Sequence, residues 1–225
     1  MPPRYRAYLF DAYGTLFDIH SVVRRAGAGI RGDLEALSQL WRQKQLEFTW
    51  LLALMDRYQD FRQITEAALR TALAQLQIDA NESQARRLMD SYLAPAVFPD
   101  AKIALDALGD LPKAILSNGS PMMLEAAVRN NGLETYFTSV ISVDQVKTYK
   151  PSPKVYELGT QTLGLPADEI LFVSSNAWDA AGAKAFGYSV CWCNRSGRAM
   201  DQLGFAPDMM VASLDQIPSH RYTET

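Results

Sequence analysis

Tyr8-Leu9-Phe10-Asp11-Ala12-Tyr13-Gly14-Thr15-Leu16-Phe17-Asp18 is the stretch whose reading decides the fold. An apolar run ends abruptly on a carboxylate, and Gly14 with Thr15 then lets the backbone turn sharply. A strand that delivers an acidic residue into a turn points to an open parallel sheet, in which ligands bind outside the carboxyl ends of the strands. Asp11 is therefore the first candidate functional residue. Two positions later stands Tyr13, not a second carboxylate.

Working outward, positions 19–98 read as almost entirely helical, with Leu, Trp, Phe and Met recurring at three- and four-residue steps and little Gly or Pro. From position 99 onward the pattern changes. Strands are expected over 114–116, 139–143, 170–173, 189–193 and 209–211, and helices over 101–108, 122–130, 153–163 and 179–186. This alternation implies an α/β fold with a doubly wound parallel sheet, a Rossmann-like core. The core takes residues 1–18 and 99–225. The helical cap, 19–98, is inserted after the first strand and lies over its carboxyl end. No internal repeat or low-complexity segment interrupts this order, and the polar stretch 219–225 is expected to fray.

Composition narrows the function classes. With 225 residues and 48% apolar side chains, the chain can bury a substantial core. No stretch approaches the roughly 20 apolar residues that span a bilayer, and Met1-Pro2-Pro3-Arg4-Tyr5-Arg6 lacks an apolar signal core. The expectation is a soluble, cytoplasmic protein with no membrane partner. The net charge is -3, from 22 basic and 25 acidic side chains mixed along the chain, so no basic stripe is present and no nucleic acid partner is expected. Cys191 and Cys193, two apart in a strand, should share a face as small buried groups. The only histidines, His20 and His220, belong to unrelated segments, which argues against a zinc site or a histidine-based triad.

Four strand ends carry polar residues that ordinary turns do not require. They are Asp11 with Tyr13 and Thr15; Ser117 with Asn118 and Gly119; Lys150 in Lys147-Thr148-Tyr149-Lys150-Pro151-Ser152-Pro153; and Ser174, Ser175, Asn176 and Asp179. Singly, each is weak: a Ser-Asn-Gly turn is more often just a turn, and a Lys-Pro pair more often a solvated loop. Their order along the chain, each after an expected strand, points to one shared crevice rather than to four coincidences.

Taken together, Asp-Ala-Tyr-Gly-Thr, Leu-Ser-Asn-Gly, Lys-Pro and Ser-Ser-Asn-Ala-Trp-Asp resemble the motifs of the haloacid dehalogenase superfamily, and within it the L-2-haloacid dehalogenase branch, over essentially the whole chain. Phosphatases of that superfamily carry a second aspartate two residues after the nucleophile and acidic residues in the last motif that hold magnesium. Here Tyr13 replaces the first, and Ser174-Ser175-Asn176-Ala177-Trp178-Asp179 retains only Asp179. Magnesium needs a near-octahedral set of oxygens, so neither a metal nor another cofactor is expected.

The resemblance implies hydrolytic dehalogenation of short-chain L-2-haloalkanoates to D-2-hydroxy acids plus halide, through an ester on Asp11 with inversion at C2. It implies Lys150 as the cation beside Asp11, and Ser117 with backbone N–H groups of the first turn, around Ala12, as a cradle for the substrate carboxylate. Thr15 and Ser174 would orient Asp11 and Lys150, unless they merely cap helices. Asp179, helped by Asn176, would serve the hydrolytic water; the alternative is an aspartate favoured by a helix dipole. Arg42, in Leu40-Trp41-Arg42-Gln43-Lys44-Gln45-Leu46, matches the family's halide-side arginine, assisted by Asn118. Tyr13, Gln43, Leu46, Phe61, Tyr156 and Trp178 would line an apolar pocket, with Tyr156 counted also among the catalytic residues and core packing as the alternative for the aromatics. The expected partners are the 2-haloacid, water and the halide product, with a homodimer as the assembly. A phosphatase and a catalytically silent binding protein are the rival readings.

Overall fold

The computed structural model describes residues 5–217. The first four residues, the polar stretch 219–225 and His220 lie outside them. β1 (Ala7–Phe10) is four consecutive buried apolar residues, as a strand covered on both faces of a parallel sheet requires. It is followed by β2 (Phe17–Asp18), α1 (His20–Ala26), α2 (Leu34–Leu54), α3 (Phe61–Gln75), α4 (Glu82–Ser91) and β3 (Ala96–Val97). The rest alternates: α5 (Pro99–Ala107), β4 (Lys113–Ser117), α6 (Pro121–Asn130), β5 (Ser139–Ser142), α7 (Pro153–Leu163), β6 (Ile170–Ser174), α8 (Ala177–Phe186), β7 (Ser189–Cys193) and β8 (Met209–Val211).

Six strands form one parallel sheet in the order β5-β4-β1-β6-β7-β8. The chain builds outward from β1 to β4 and β5, then returns to β1's other side for β6, β7 and β8. The reversal of direction at β1 is the switch point, where the loops after β1, β4 and β6 diverge and leave a crevice. Register aligns the site: Phe10 pairs with Ile115 and with Val173. Ser174 therefore stands level with Asp11, and Ser117 level with Ala12.

The expected α/β class and doubly wound sheet hold. The helical reading of 19–98 is met by α1 to α4, and side chains cap the starts of α2, α3 and α4. Asp33 accepts the Ala36 N–H at α2, and Asp60 with Gln63 and Asn81 with Gln84 form capping boxes at α3 and α4. One element departs from it: Ala96–Val97 is a strand, paired antiparallel with Phe17–Asp18. Two-residue strands carry no periodicity, so nothing in the sequence pattern marks this ribbon. Several ends also differ. α5 begins on Pro99, a residue preorganised for a first helical turn, and α8 begins at Ala177, which places Asp179 inside its first turn. Cys191 and Cys193 are buried free thiols on β7. No helix of the described residues is long and apolar enough to cross a membrane.

Candidate active site

The turn after β1 places Asp11. Gly14 adopts φ +92°, a conformation that L side chains rarely enter, and its N–H donates to the Phe17 carbonyl at 2.8 Å. The Ala12 carbonyl accepts the N–H groups of Thr15, Leu16 and Phe17, closing the turn. Gly119, in the turn after β4, is required for space: a Cβ there would stand 2.8 Å from Tyr13 Cε2.

Asp11 is 6% exposed and held by three donors. Oδ2 accepts from Thr15 Oγ1 at 2.9 Å and Asn176 Nδ2 at 2.8 Å, and Oδ1 accepts from Lys150 Nζ at 3.1 Å. Lys150 Nζ donates also to Asp179 Oδ2 at 2.9 Å, so one ammonium bridges two carboxylates. Asp179 Oδ2 accepts also from Ser174 Oγ at 3.0 Å, and its other oxygen, Oδ1, accepts from Tyr156 Oη at 2.8 Å. Lys150 lies over the face of Phe172, 4.9 Å from the ring centre, and its backbone N–H donates to Asn118 Oδ1 at 3.0 Å.

Burial sets the electrostatics. It pulls the Lys150 ammonium down, but attraction and hydrogen bonds from Asp11 and Asp179 outweigh it and leave the pKa raised. Burial lifts the Asp179 carboxyl, Lys150 pulls it back, and repulsion from Asp11 lifts it again, to about 6. The Tyr156 phenol, buried against Asp179, is pushed well up and stays protonated. Two carboxylates and one ammonium thus share a nearly dry space.

Arg42 reaches this cluster from α2. Its Nη2 donates to the Tyr13 carbonyl at 3.3 Å, the oxygen that also accepts from Asn176 Nδ2 at 3.2 Å, and its Nη1 donates to Gln45 Oε1 at 2.7 Å. Arg42, Leu46, Asn176 and Trp178 line a cavity of about 430 Å³. A second, of about 620 Å³, lies between Trp50, Ala53 and Leu54 of α2 and the Lys150 loop, and Trp178 borders both. Tyr13 stacks on Phe61, with ring centres 5.8 Å apart, and its hydroxyl is buried without a partner among the described residues.

Asp11, Thr15, Lys150, Tyr156, Ser174, Asn176 and Asp179 are thus gathered in one hydrogen-bonded cluster, with Asn118 on the Lys150 backbone and Arg42 at the turn carrying Tyr13. Ser117 is buried at the same strand-end level, its Oγ accepting the Gly119 N–H at 3.1 Å. Two placements differ from the sequence reading. Gln43 is exposed on α2 and borders neither cavity; the buried glutamine is Gln45, which bonds Thr65 Oγ1 at 2.7 Å. Tyr156 is fully buried beneath the site among Phe172, Phe186 and Tyr188, and reaches it only through its hydroxyl. Sequence reasoning missed Arg195, whose guanidinium donates to the carbonyls of Gly14 and Thr15. It follows β7 as the other site residues follow their strands, so the strand-end signal was present there too.

A family model for haloacid dehalogenase-like hydrolases matches residues 5–187. Over 208 residues, covering 91% of this chain and 89% of the relative, the sequence is 50% identical to an (S)-2-haloacid dehalogenase of Pseudomonas sp. (strain YL). It is 47% identical over 213 residues to haloacetate dehalogenase H-2 of Moraxella sp. (strain B), covering 94% of this chain and 95% of the relative. Among solved structures, the fold is similar to L-2-haloacid dehalogenase from Xanthobacter autotrophicus with chloropropionic acid covalently bound. That match has a TM-score of 0.88 and 40% identity and covers 96% of this chain and 97% of the other.

Proposed function

The chain belongs to the haloacid dehalogenase-like hydrolases, in their (S)-2-haloacid dehalogenase group, and on that premise we propose that Asp11 itself displaces halide from the C2 carbon of short L-2-haloalkanoates. An oxygen of Asp11 forms a bond to C2 while the carbon–halogen bond breaks and the halide leaves with the electron pair. Water then attacks the Asp11 carbonyl carbon of the resulting ester. The acyl–oxygen bond breaks, the 2-hydroxy acid leaves with its C2–O bond intact, and the carboxylate is restored. One displacement at C2 inverts it, so L substrate gives D product.

The observation that carries this reading is the ammonium of Lys150 seated between Asp11 and Asp179. It sets a positive charge beside the buried Asp11 carboxylate and offsets the charge of an incoming carboxylate. A carboxylate is a weak nucleophile unless held close and freed of water. Thr15 and Asn176 supply that hold, and burial supplies the rest. Asp179, with its pKa lifted to about 6, is suited to accept the proton of the hydrolytic water near neutral pH. Asn176 positions that water, and Ser174 and Tyr156 hold Asp179. Arg42 receives the halide, with Asn118 assisting, and Ser117 and the amides of the first turn cradle the substrate carboxylate.

The residues present do not fit the magnesium of the superfamily's phosphatases. The gap between the two carboxylates is filled by Lys150 Nζ, and at position 13 a phenol packs on Phe61 where a second acid would stand. The four-helix segment 19–98 acts as a cap over the core formed by 1–18 and 99–225. Leu51, Leu54 and Met55, exposed at the end of α2, offer the face for a homodimer in the cytoplasm.

The test supplies L- and D-2-chloropropionate separately, with EDTA present, and measures free chloride; a phosphate ester with magnesium is the second arm. The expected result is chloride from the L enantiomer alone and no phosphate. Phosphate release without chloride would overturn the reading.

A further inference from the structure

We propose that Arg195 is a positioning residue for dehalogenation, clamping the turn that carries Asp11 so that its carboxylate stays aligned for attack. The inference rests on the reaction proposed above. Arg195 lies two residues beyond the end of β7 and makes five polar contacts. Nε and Nη2 donate to the two oxygens of Asp100, each at 2.9 Å, as a fork. Nη2 donates also to the Thr15 carbonyl at 3.0 Å, and Nη1 to Ser175 Oγ at 2.9 Å and the Gly14 carbonyl at 3.4 Å. The guanidinium lies over Phe98, 4.0 Å from the ring centre. Asp100 in turn accepts the Leu214 N–H at 2.8 Å.

An arginine needed only to join α5 to the last turn of the core would have finished its work at Asp100. Its other contacts fall on the nucleophile's own support. Thr15 is held at both ends. Its carbonyl accepts from Arg195, while its hydroxyl accepts the Ser175 N–H at 2.8 Å and donates to Asp11 Oδ2 at 2.9 Å. Ser175, itself held by Arg195, precedes Asn176, which donates to the same Oδ2 at 2.8 Å. Two of the three donors on Asp11 therefore sit on segments that Arg195 ties together. The turn needs such an external brace because Gly14, at φ +92°, contributes no side chain to hold it. Phe98 and Asp100 lie where the chain returns from the helical segment, so the same clamp registers that return against the nucleophile.

The experiment measures chloride release from L-2-chloropropionate by the wild type, Arg195→Met, Arg195→Lys and Ser175→Ala, with kcat, KM and thermal unfolding for each. For folded Arg195→Met, kcat should fall about 10- to 100-fold while KM stays within about threefold, because geometry at the carboxylate changes and the binding groups do not. Arg195→Lys keeps a cation for Asp100 without the fork and should recover part of the loss. Ser175→Ala removes one neutral contact and should lose about three- to tenfold in kcat. Wild-type kcat in the folded variants, a loss confined to KM, or a loss that only tracks the unfolded fraction overturns the clamp. If Arg195→Met does not fold, Arg195→Lys and Ser175→Ala decide by the same criteria. A wild type that releases no chloride overturns the proposed reaction instead, a result distinct from failure of the clamp.

Discussion

Protonating Asp179 should switch the enzyme off from the acid side and, in the same pH range, make the fold more stable. Its carboxyl is raised from 3.8 to about 6, first by burial and then by Asp11, against the pull of Lys150. A shift of about two units is about 3 kcal/mol. Between these values the native protein holds a proton that the unfolded chain has released, so stability falls as pH rises through the window. This is the reverse of an ion-paired carboxylate with a depressed pKa. Lys150, with its pKa raised, stays charged throughout and adds no slope there. The assay is urea unfolding of the wild type and Asp179→Asn from about pH 4 to pH 7, with wild-type kcat over the same range. The difference in unfolding free energy should move against the wild type by about 3 kcal/mol, while kcat, which contains the hydrolytic step, rises with pH from the acid side. A difference independent of pH, or one moving in the wild type's favour, would refute the reasoning.

Three further outcomes follow from the same cluster. Lys150→Met leaves two buried carboxylates without their cation; it should lose activity and about 3–5 kcal/mol of stability at neutral pH, read by halide release and urea unfolding. Arg42→Ala should slow chloride loss by about 100-fold and bromide loss less, because the poorer leaving group needs more help, and equal slowing would discredit its halide role. Asp179→Asn should release about one equivalent of halide per site in a burst and then stall with the ester in place, visible by intact mass; steady turnover would remove Asp179 from hydrolysis.

Much of this was legible in the sequence because long periodic segments and strand-end polar residues report independently. The helix at 153–163 and the strands at 189–193 and 209–211 stand where the pattern put them. What was not legible came from contacts distant in sequence. Nothing local distinguishes Gln43 from Gln45 on α2; burial against Thr65 of α3 selects the second. Tyr156 reads as a pocket aromatic until α8 places Asp179 against its hydroxyl. The ribbon of Phe17–Asp18 with Ala96–Val97 is too short to show a period, and the Arg195–Asp100 pair joins residues 95 positions apart.

The central claim is covalent participation of Asp11, and a single turnover in heavy-oxygen water tests it most directly. With enzyme in excess over L-2-chloropropionate, the peptide carrying Asp11 should gain the heavy oxygen while the 2-hydroxy acid leaves unlabelled, its hydroxyl having come from the carboxylate. Heavy oxygen in the product of that first turnover, with Asp11 unlabelled, would mean that water attacks C2 directly and would contradict the account.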